Sequence, residues 1–185
     1  MDSWRNELNK LDAAVYRAIA RTRTPGLDRA LGGLSRAADY SKLWLGSAAA
    51  LALLGGGRGR RAAVNGLASL ALTATIVNVV LKPLGGRRRP ERGKHHVPIA
   101  RLVRMPRTRS FPSGHAASGF AFASGVSSEA PLPGIALTGL AALVAYSRVH
   151  TGVHYPGDVI AGSIIGTALA PLAVAAVNRR HAAAP

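Results

Sequence analysis

The stretch Ser147-Arg148-Val149-His150-Thr151-Gly152-Val153-His154-Tyr155-Pro156-Gly157-Asp158 places a cation, two imidazoles and a carboxylate between two apolar runs. His154 precedes Asp158 by four residues, so the carboxylate can hold one ring nitrogen and leave the other as a nucleophile, the orienting logic of a triad. Two more polar clusters stand at the ends of apolar runs: Lys82 with Arg89-Pro90, and Pro112-Ser113-Gly114-His115. Lys82, Arg89 and Arg148 can neutralise a phosphate and the further charge that develops during phosphoryl transfer. Arginine suits a fork-like contact with two phosphate oxygens. Ser113 and Gly114 open a helix whose free backbone N–H groups form an anion site, with no Cβ at Gly114 to obstruct approach. His115 is then free to protonate the leaving oxygen as a general acid.

These groups need a scaffold, and composition narrows it. A chain of 185 residues is long enough for one domain, and with no cysteine it has neither disulfides nor thiolate metal sites. The net charge of +16, with 8 acidic residues, calls for an anionic partner. Aromatics make up only 5% and the apolar residues come in long blocks, which argues against a nucleic-acid module. Charge and apolar blocks together favour a membrane protein facing an anionic ligand.

In chain order, residues 1–41 lack the apolar core of a secretory signal. Trp4, Leu8, Leu11, Val15 and Ile19 recur every three or four residues and predict a helix with one apolar stripe. Leu27, Leu31 and Leu34 begin a second amphipathic helix after Thr24-Pro25-Gly26. Such a pair either lies in the membrane interface or packs on the other helices as a cap. Five apolar runs follow, at 43–57, 62–81, 116–127, 132–147 and 159–177, rich in small residues that suit close helix packing in lipid. The expected fold is therefore all-α: an integral membrane bundle of about five helices over 42–178, with a short basic tail at 179–185. Residues 82–112 carry ten Lys and Arg, and their Pro and Gly content argues against a long regular helix.

Helices that cross and return put all three polar clusters on one side. The loops 82–112 and 147–158 share a face, while 58–61 and 128–131 lie on the other. Nineteen of the 24 Lys and Arg fall on the active-site face, so the positive-inside tendency places that face and the N-terminus in the cytoplasm of a multi-pass plasma (inner) membrane protein.

Lys82, six residues and Arg89-Pro90, then Pro112-Ser113-Gly114-His115, then Ser147-Arg148, five residues, His154, three residues and Asp158 together resemble the three-part signature of the type 2 phosphatidic acid phosphatase (PAP2) superfamily. Pro-Ser-Gly-His alone is a weak signal; three parts in order and at family spacing are a specific one. The resemblance implies a metal-independent, cofactor-free phosphatase with a phosphohistidine intermediate. His154 would attack phosphorus, Asp158 would position it, and His115 would donate a proton to the departing group. Lys82, Arg89, Ser113, Gly114, His115 and Arg148 would line the phosphate pocket. The N-terminal region and motifs also look similar to the phosphatase half of actinobacterial phosphatase–lipid kinase fusions, which implies a stand-alone relative or part of a longer chain. Vanadium haloperoxidases share the pocket geometry but are larger and soluble.

Other readings attach to single residues. His150 and His154, four apart, have a metal-binding spacing, but Gly152, Pro156 and Gly157 interrupt a helix there and no third ligand is evident. His95 and His96 read as solvated loop residues, and Arg87 and Arg88 as headgroup contacts without a catalytic role. Asp158 also fits a first-turn helix charge. A pocket at helix ends lies at headgroup depth, so the expected substrate is a lipid phosphate: phosphatidic acid, phosphatidylglycerol phosphate, a polyprenyl mono- or diphosphate, or a polyprenyl-linked phosphosugar. The competing function is a membrane module that binds anionic lipid without turnover. Nothing in the sequence sets the oligomeric state.

Overall fold

Two helices precede the apolar runs, α1 (Ser3–Arg21) and α2 (Pro25–Ala37), in a computed structural model that describes residues 3–182. Pro25 starts α2, where its fixed φ is already helical and its missing N–H is no loss. A single 3₁₀ turn, Asp39–Ser41, leads into α3 (Lys42–Leu54). α4 (Gly56–Thr75) continues through a π-helical turn, Ile76–Leu81, into the short α5 (Lys82–Gly85). After an irregular loop come α6 (Gly114–Ser127), α7 (Pro131–His150) and α8 (Pro156–Ala182). Among the described residues there is no strand.

All five apolar runs are thus helical, in an integral membrane bundle. Among the described residues, three stretches are long and apolar enough to cross a membrane: Gly56–Gly85, Pro131–His150 and Pro156–Arg180. α3 and α6 have 13 and 14 residues, so each rises about 20 Å against a hydrocarbon core of about 30 Å. α6 is short because it is enclosed. Its residues Ala116, Ala117, Ala121, Phe122, Ala123 and Val126 are fully buried, and α4, α7 and α8 pack around it. A helix sheathed in protein has no lipid thickness to match.

Small residues permit that enclosure. A Cβ on Gly125 would lie 2.5 Å from the Asn65 carbonyl oxygen of α4, and one on Gly166 of α8 only 2.2 Å from the Ala117 carbonyl oxygen of α6. Backbone cannot yield as a flexible side chain does. Gly166→Ala is therefore expected to destabilise the bundle by about 1–3 kcal/mol or more, read as a lowered melting temperature in detergent.

The same close approaches fix direction. Gly125 meets Asn65 and Gly114 meets Asn78, so α4 and α6 are antiparallel. Gly134 meets Ser127, which makes α7 antiparallel to α6, and Gly162 and Gly166 meet Ser113 and Ala117, which makes α8 parallel to it. Lys82, Ser113, Arg148 and Asp158 consequently share one end of the bundle.

Two boundaries differ from the sequence reading. The reversal between the first two runs lies at Gly55-Gly56, with Gly56 at φ +57°, and Arg58, Arg60 and Arg61 ride on the first turns of α4 instead of forming a loop. Arg61 is held there by Glu129 at 3.1 Å. At the other end, Arg179 and Arg180 continue α8 as far as Ala182, so the basic residues are not a separate tail; residues 183–185 lie outside the described part.

The N-terminal helices cap the polar end. Tyr16 of α1 is buried, and Asp12 accepts a hydrogen bond from Gly157 N at 2.7 Å. Asp28 of α2 is buried too, where Oδ1 accepts from Arg101 Nε (2.8 Å) and Thr24 Oγ1 (3.0 Å) and lies 2.9 Å from His150 Nε2. Burial pushes the Asp28 carboxyl up, but the hydrogen bonds from Thr24, His150 and Arg101 outweigh it and hold it below the usual range. Trp4, Leu8, Leu11 and Val15 meanwhile stay exposed, so α1 caps with one face and turns its apolar stripe outward.

Candidate active site

His154 lies in the five-residue turn between α7 and α8 and is 1% exposed. Arg148 and His150 are not in that turn; they form the last turn of α7. Gly152 makes the turn possible, with φ +72° and no room for a Cβ, which would lie 2.9 Å from the Tyr16 hydroxyl. His154 Nδ1 faces Asp158 Oδ2 at 3.4 Å, and Nε2 lies 3.2 Å from Arg89 Nη1. Arginine can only donate, so it requires a lone pair on Nε2 and leaves the proton on Nδ1, toward the carboxylate. Burial pushes the imidazole down to about 3, against the opposing pull of Asp158, so the ring is neutral at ordinary pH.

Asp158 is fully buried at the start of α8 and saturated with partners. Oδ2 accepts from Ser110 Oγ and from the Tyr155 backbone N–H at 2.9 Å, while Oδ1 pairs with Arg87 at 3.0 Å. The Asp158 carbonyl accepts from Ser113 N at 2.9 Å, which ties the start of α6 to the start of α8. An orienting role fits these contacts better than a first-turn charge does.

Arg89 is fixed by the loop backbone. Nε donates to the Thr108 carbonyl (2.9 Å), Nη1 to the Val153 carbonyl (2.8 Å), and Nη2 to the Arg109 carbonyl (3.2 Å). Burial lowers its guanidinium to about 10, still charged at neutral pH. Lys82 Nζ donates to Thr108 Oγ1 at 3.3 Å and stands 3.3 Å from where a Gly114 Cβ would be. Lys82 directly follows the π turn, a departure from α geometry often found at functional sites. Arg148 is 1% exposed and donates to Ser35 Oγ at 2.6 Å. His115 Nε2 lies 2.9 Å from Asp39 Oδ1, and Arg148 Nη1 lies 3.6 Å from the same oxygen. Among the described residues, the buried side-chain atoms without a protein partner are Ser113 Oγ and Arg148 Nε in this cluster and Thr73 Oγ1, Arg92 Nε and Nη2 and His150 Nδ1 outside it. Buried polar atoms are rarely left unpaired, and the two in the cluster have room in their hydrogen bonding for a polar ligand.

The structure therefore brings together Lys82, Arg89, Ser113, Gly114, His115, Arg148, His154 and Asp158. His150 belongs elsewhere, on Asp28, so the two histidines four apart serve different carboxylates. Arg87 is a correction: it is no headgroup contact but bridges Asp158 and Asp12 (2.6 Å), with its guanidinium 4.2 Å from the Tyr155 ring centre. His95 packs edge-on against Tyr16, 5.1 Å between ring centres, and is not simply solvated. Sequence reasoning also missed Asp39, Ser35, Thr108 and Ser110. The one signal for Ser110 was its position, three residues before Ser113 at the end of the basic loop.

Two pockets meet at His115. One, about 170 Å³, is lined by Trp44, Asn78, Lys82, Gly114, His115 and Ser118. The other, about 310 Å³, is lined by Asp39, Tyr40, Arg104, Arg107 and His115. The first has the Lys82 and Gly114 end on one side and the helix faces of α3, α4 and α6 on the other, a polar head region that grades into an apolar one.

A cationic cage around a neutral, buried imidazole, set at the end of a membrane bundle, is equipment for cleaving phosphate from a lipid; the class is a membrane-embedded lipid phosphatase. The particular family follows from comparison. Residues 62–182 match the family model described as "PAP2 superfamily", and the chain belongs to it. It is 37% identical over 148 residues to the decaprenylphosphoryl-5-phosphoribose phosphatase of Mycobacterium tuberculosis, an alignment covering 77% of this chain and 76% of that protein. Two crystal structures resemble it with a TM-score of 0.69 and 25% identity. Aquifex aeolicus LpxE matches over 89% of this chain and 94% of its own. A transmembrane PAP2-type phosphatidylglycerolphosphate phosphatase from Bacillus subtilis matches over 95% and 88%.

Proposed function

We propose that the chain hydrolyses the phosphomonoester of a polyprenyl-linked phosphosugar, by way of a phosphohistidine on His154. The observation that carries the mechanism is His154 itself, buried and neutral, with Nδ1 toward Asp158 and the Nε2 lone pair toward the cation Arg89. Nε2 attacks phosphorus and the bond from phosphorus to the leaving oxygen breaks, with His115 giving that oxygen a proton. Water then attacks phosphorus as the phosphorus–nitrogen bond breaks, His115 takes a proton from that water, and inorganic phosphate leaves as His154 is restored. Lys82, Arg89 and Arg148, with Ser113 and the Gly114 end of α6, hold the phosphate oxygens and the charge that builds on them. The substrate class is supported by the named activity of the mycobacterial relative and by a pocket that runs from Lys82 to apolar helix faces.

The proposed setting is the plasma membrane, with the active end in the cytoplasm, where most of the Lys and Arg lie. The outward stripe of α1 rests among the headgroups. The test is phosphate release by the detergent-purified chain from phosphatidic acid, phosphatidylglycerol phosphate, polyprenyl mono- and diphosphate and a polyprenyl phosphosugar. Release is expected to be greatest from the last, to survive chelator and to be blocked by vanadate. A requirement for Mg²⁺ would overturn the mechanism. Stoichiometric lipid binding with no release from any member would leave a binding module instead.

A further inference from the structure

We propose that Asp39, which belongs to none of the three signature clusters, is the positioning residue of His115: its carboxylate orients the ring and opposes early loss of the proton that goes to the leaving oxygen. The inference rests on the reading of His115 as the general acid. Asp39 Oδ1 lies 2.9 Å from His115 Nε2, across 76 residues of sequence. The corner that delivers it is strained. Tyr40 and Ser41 follow at φ 56° and 59°, two consecutive non-glycine residues in the left-handed region. Chains seldom hold such a conformation unless the surroundings enforce it, and it is found most often at functional sites. Here it turns the chain from α2 into α3 with Asp39 lining the pocket it shares with His115, Arg104 and Arg107.

Burial and charge together explain why a carboxylate is needed. Arg148 on α7 and Lys82 on α5 act on His115, and Arg104 and Arg107 of the basic loop line the adjoining pocket. Burial disfavours an imidazolium at His115 most, Arg148 and Lys82 add to it, and the Asp39 carboxylate opposes them, leaving the ring below the ordinary imidazole range. The hydrogen bond from His115 in turn holds the Asp39 carboxyl below the usual carboxylate range. With Nε2–H donated to Asp39, the other ring nitrogen carries the proton that moves to the leaving oxygen as its bond to phosphorus breaks. In the second step that nitrogen takes a proton from the attacking water.

The experiment compares wild type, Asp39→Asn and Asp39→Glu in detergent across pH, on a lipid phosphate and on p-nitrophenyl phosphate, whose leaving group departs without a proton. Asp39→Asn is expected to lower kcat on the lipid phosphate by about 10²-fold and on p-nitrophenyl phosphate by much less. Without the carboxylate the His115 imidazolium loses its proton more readily, so the descending alkaline limb of kcat moves to lower pH. Asp39→Glu, which keeps the charge, is expected to restore the limb. Melting temperatures check that both variants fold; Asp39 is partly exposed, and asparagine keeps its shape. Equal losses on both substrates with an unmoved limb would overturn the proposal and leave a structural prop, and so would an unchanged kcat. A wild type that releases phosphate from neither substrate overturns the proposed function instead and takes this inference with it.

Discussion

His154→Ala is expected to lower kcat by about 10⁴-fold or more, with a smaller change in KM. The nitrogen that would form the covalent bond is removed, while the cations proposed to hold the phosphate stay in place, so binding outlasts turnover. His154 is buried, and its ring contacts Arg89 and Asp158, so some loss of melting temperature accompanies the substitution. His154→Gln fills more of that volume and separates packing from chemistry: it should melt closer to wild type and be as inactive. A direct reading is the trapped intermediate. Wild type quenched during turnover should carry phosphate in an acid-labile, base-stable linkage, and His154→Ala should carry none. Turnover within tenfold of wild type in both variants would remove His154 from the reaction path.

The second large effect is expected from Asp158→Asn, a fall in kcat of about 10³–10⁴-fold. The substitution barely changes shape, so packing is not the cause. The carboxylate accepts from Ser110, Tyr155 N and Arg87 and faces His154 Nδ1. An amide can present its NH₂ to Nδ1, which draws the ring proton to Nε2, the nitrogen that must attack. Its neutral oxygen also cannot stabilise the positive charge that the ring acquires as it bonds to phosphorus. Arg87 keeps Asp12 as a partner, so α1 should stay docked and the variant should remain folded. The trapped phosphoenzyme should form slowly in a single turnover, and a kcat within tenfold of wild type would falsify the orienting role.

Much of this was legible in order and spacing. Five apolar runs become five helices because a backbone in lipid must satisfy its own hydrogen bonds. Lys82, Arg89, Ser113, Gly114, Arg148, His154 and Asp158 gather at one end because helices that reverse at each turn bring their alternate ends together. The sequence by itself also pointed to a pairing of His154 with Asp158, since four residues is a local distance that one turn at a helix start can close. What it left open were contacts with no period. Asp12 reaches Gly157, Asp28 reaches Arg101 and His150, Ser35 reaches Arg148, and Asp39 reaches His115, across 73 to 145 residues of chain. In sequence these are ordinary polar residues of two amphipathic helices and the turn that follows them, and Arg87 is one more cation among many. Only the tertiary structure decided which cation meets which carboxylate. Charges withdrawn from water need partners, but packing selects the partner, and packing here means the fold of α1 and α2 over the catalytic end. His154 was marked by its neighbours in sequence; the carboxylate that serves His115 was marked only in space.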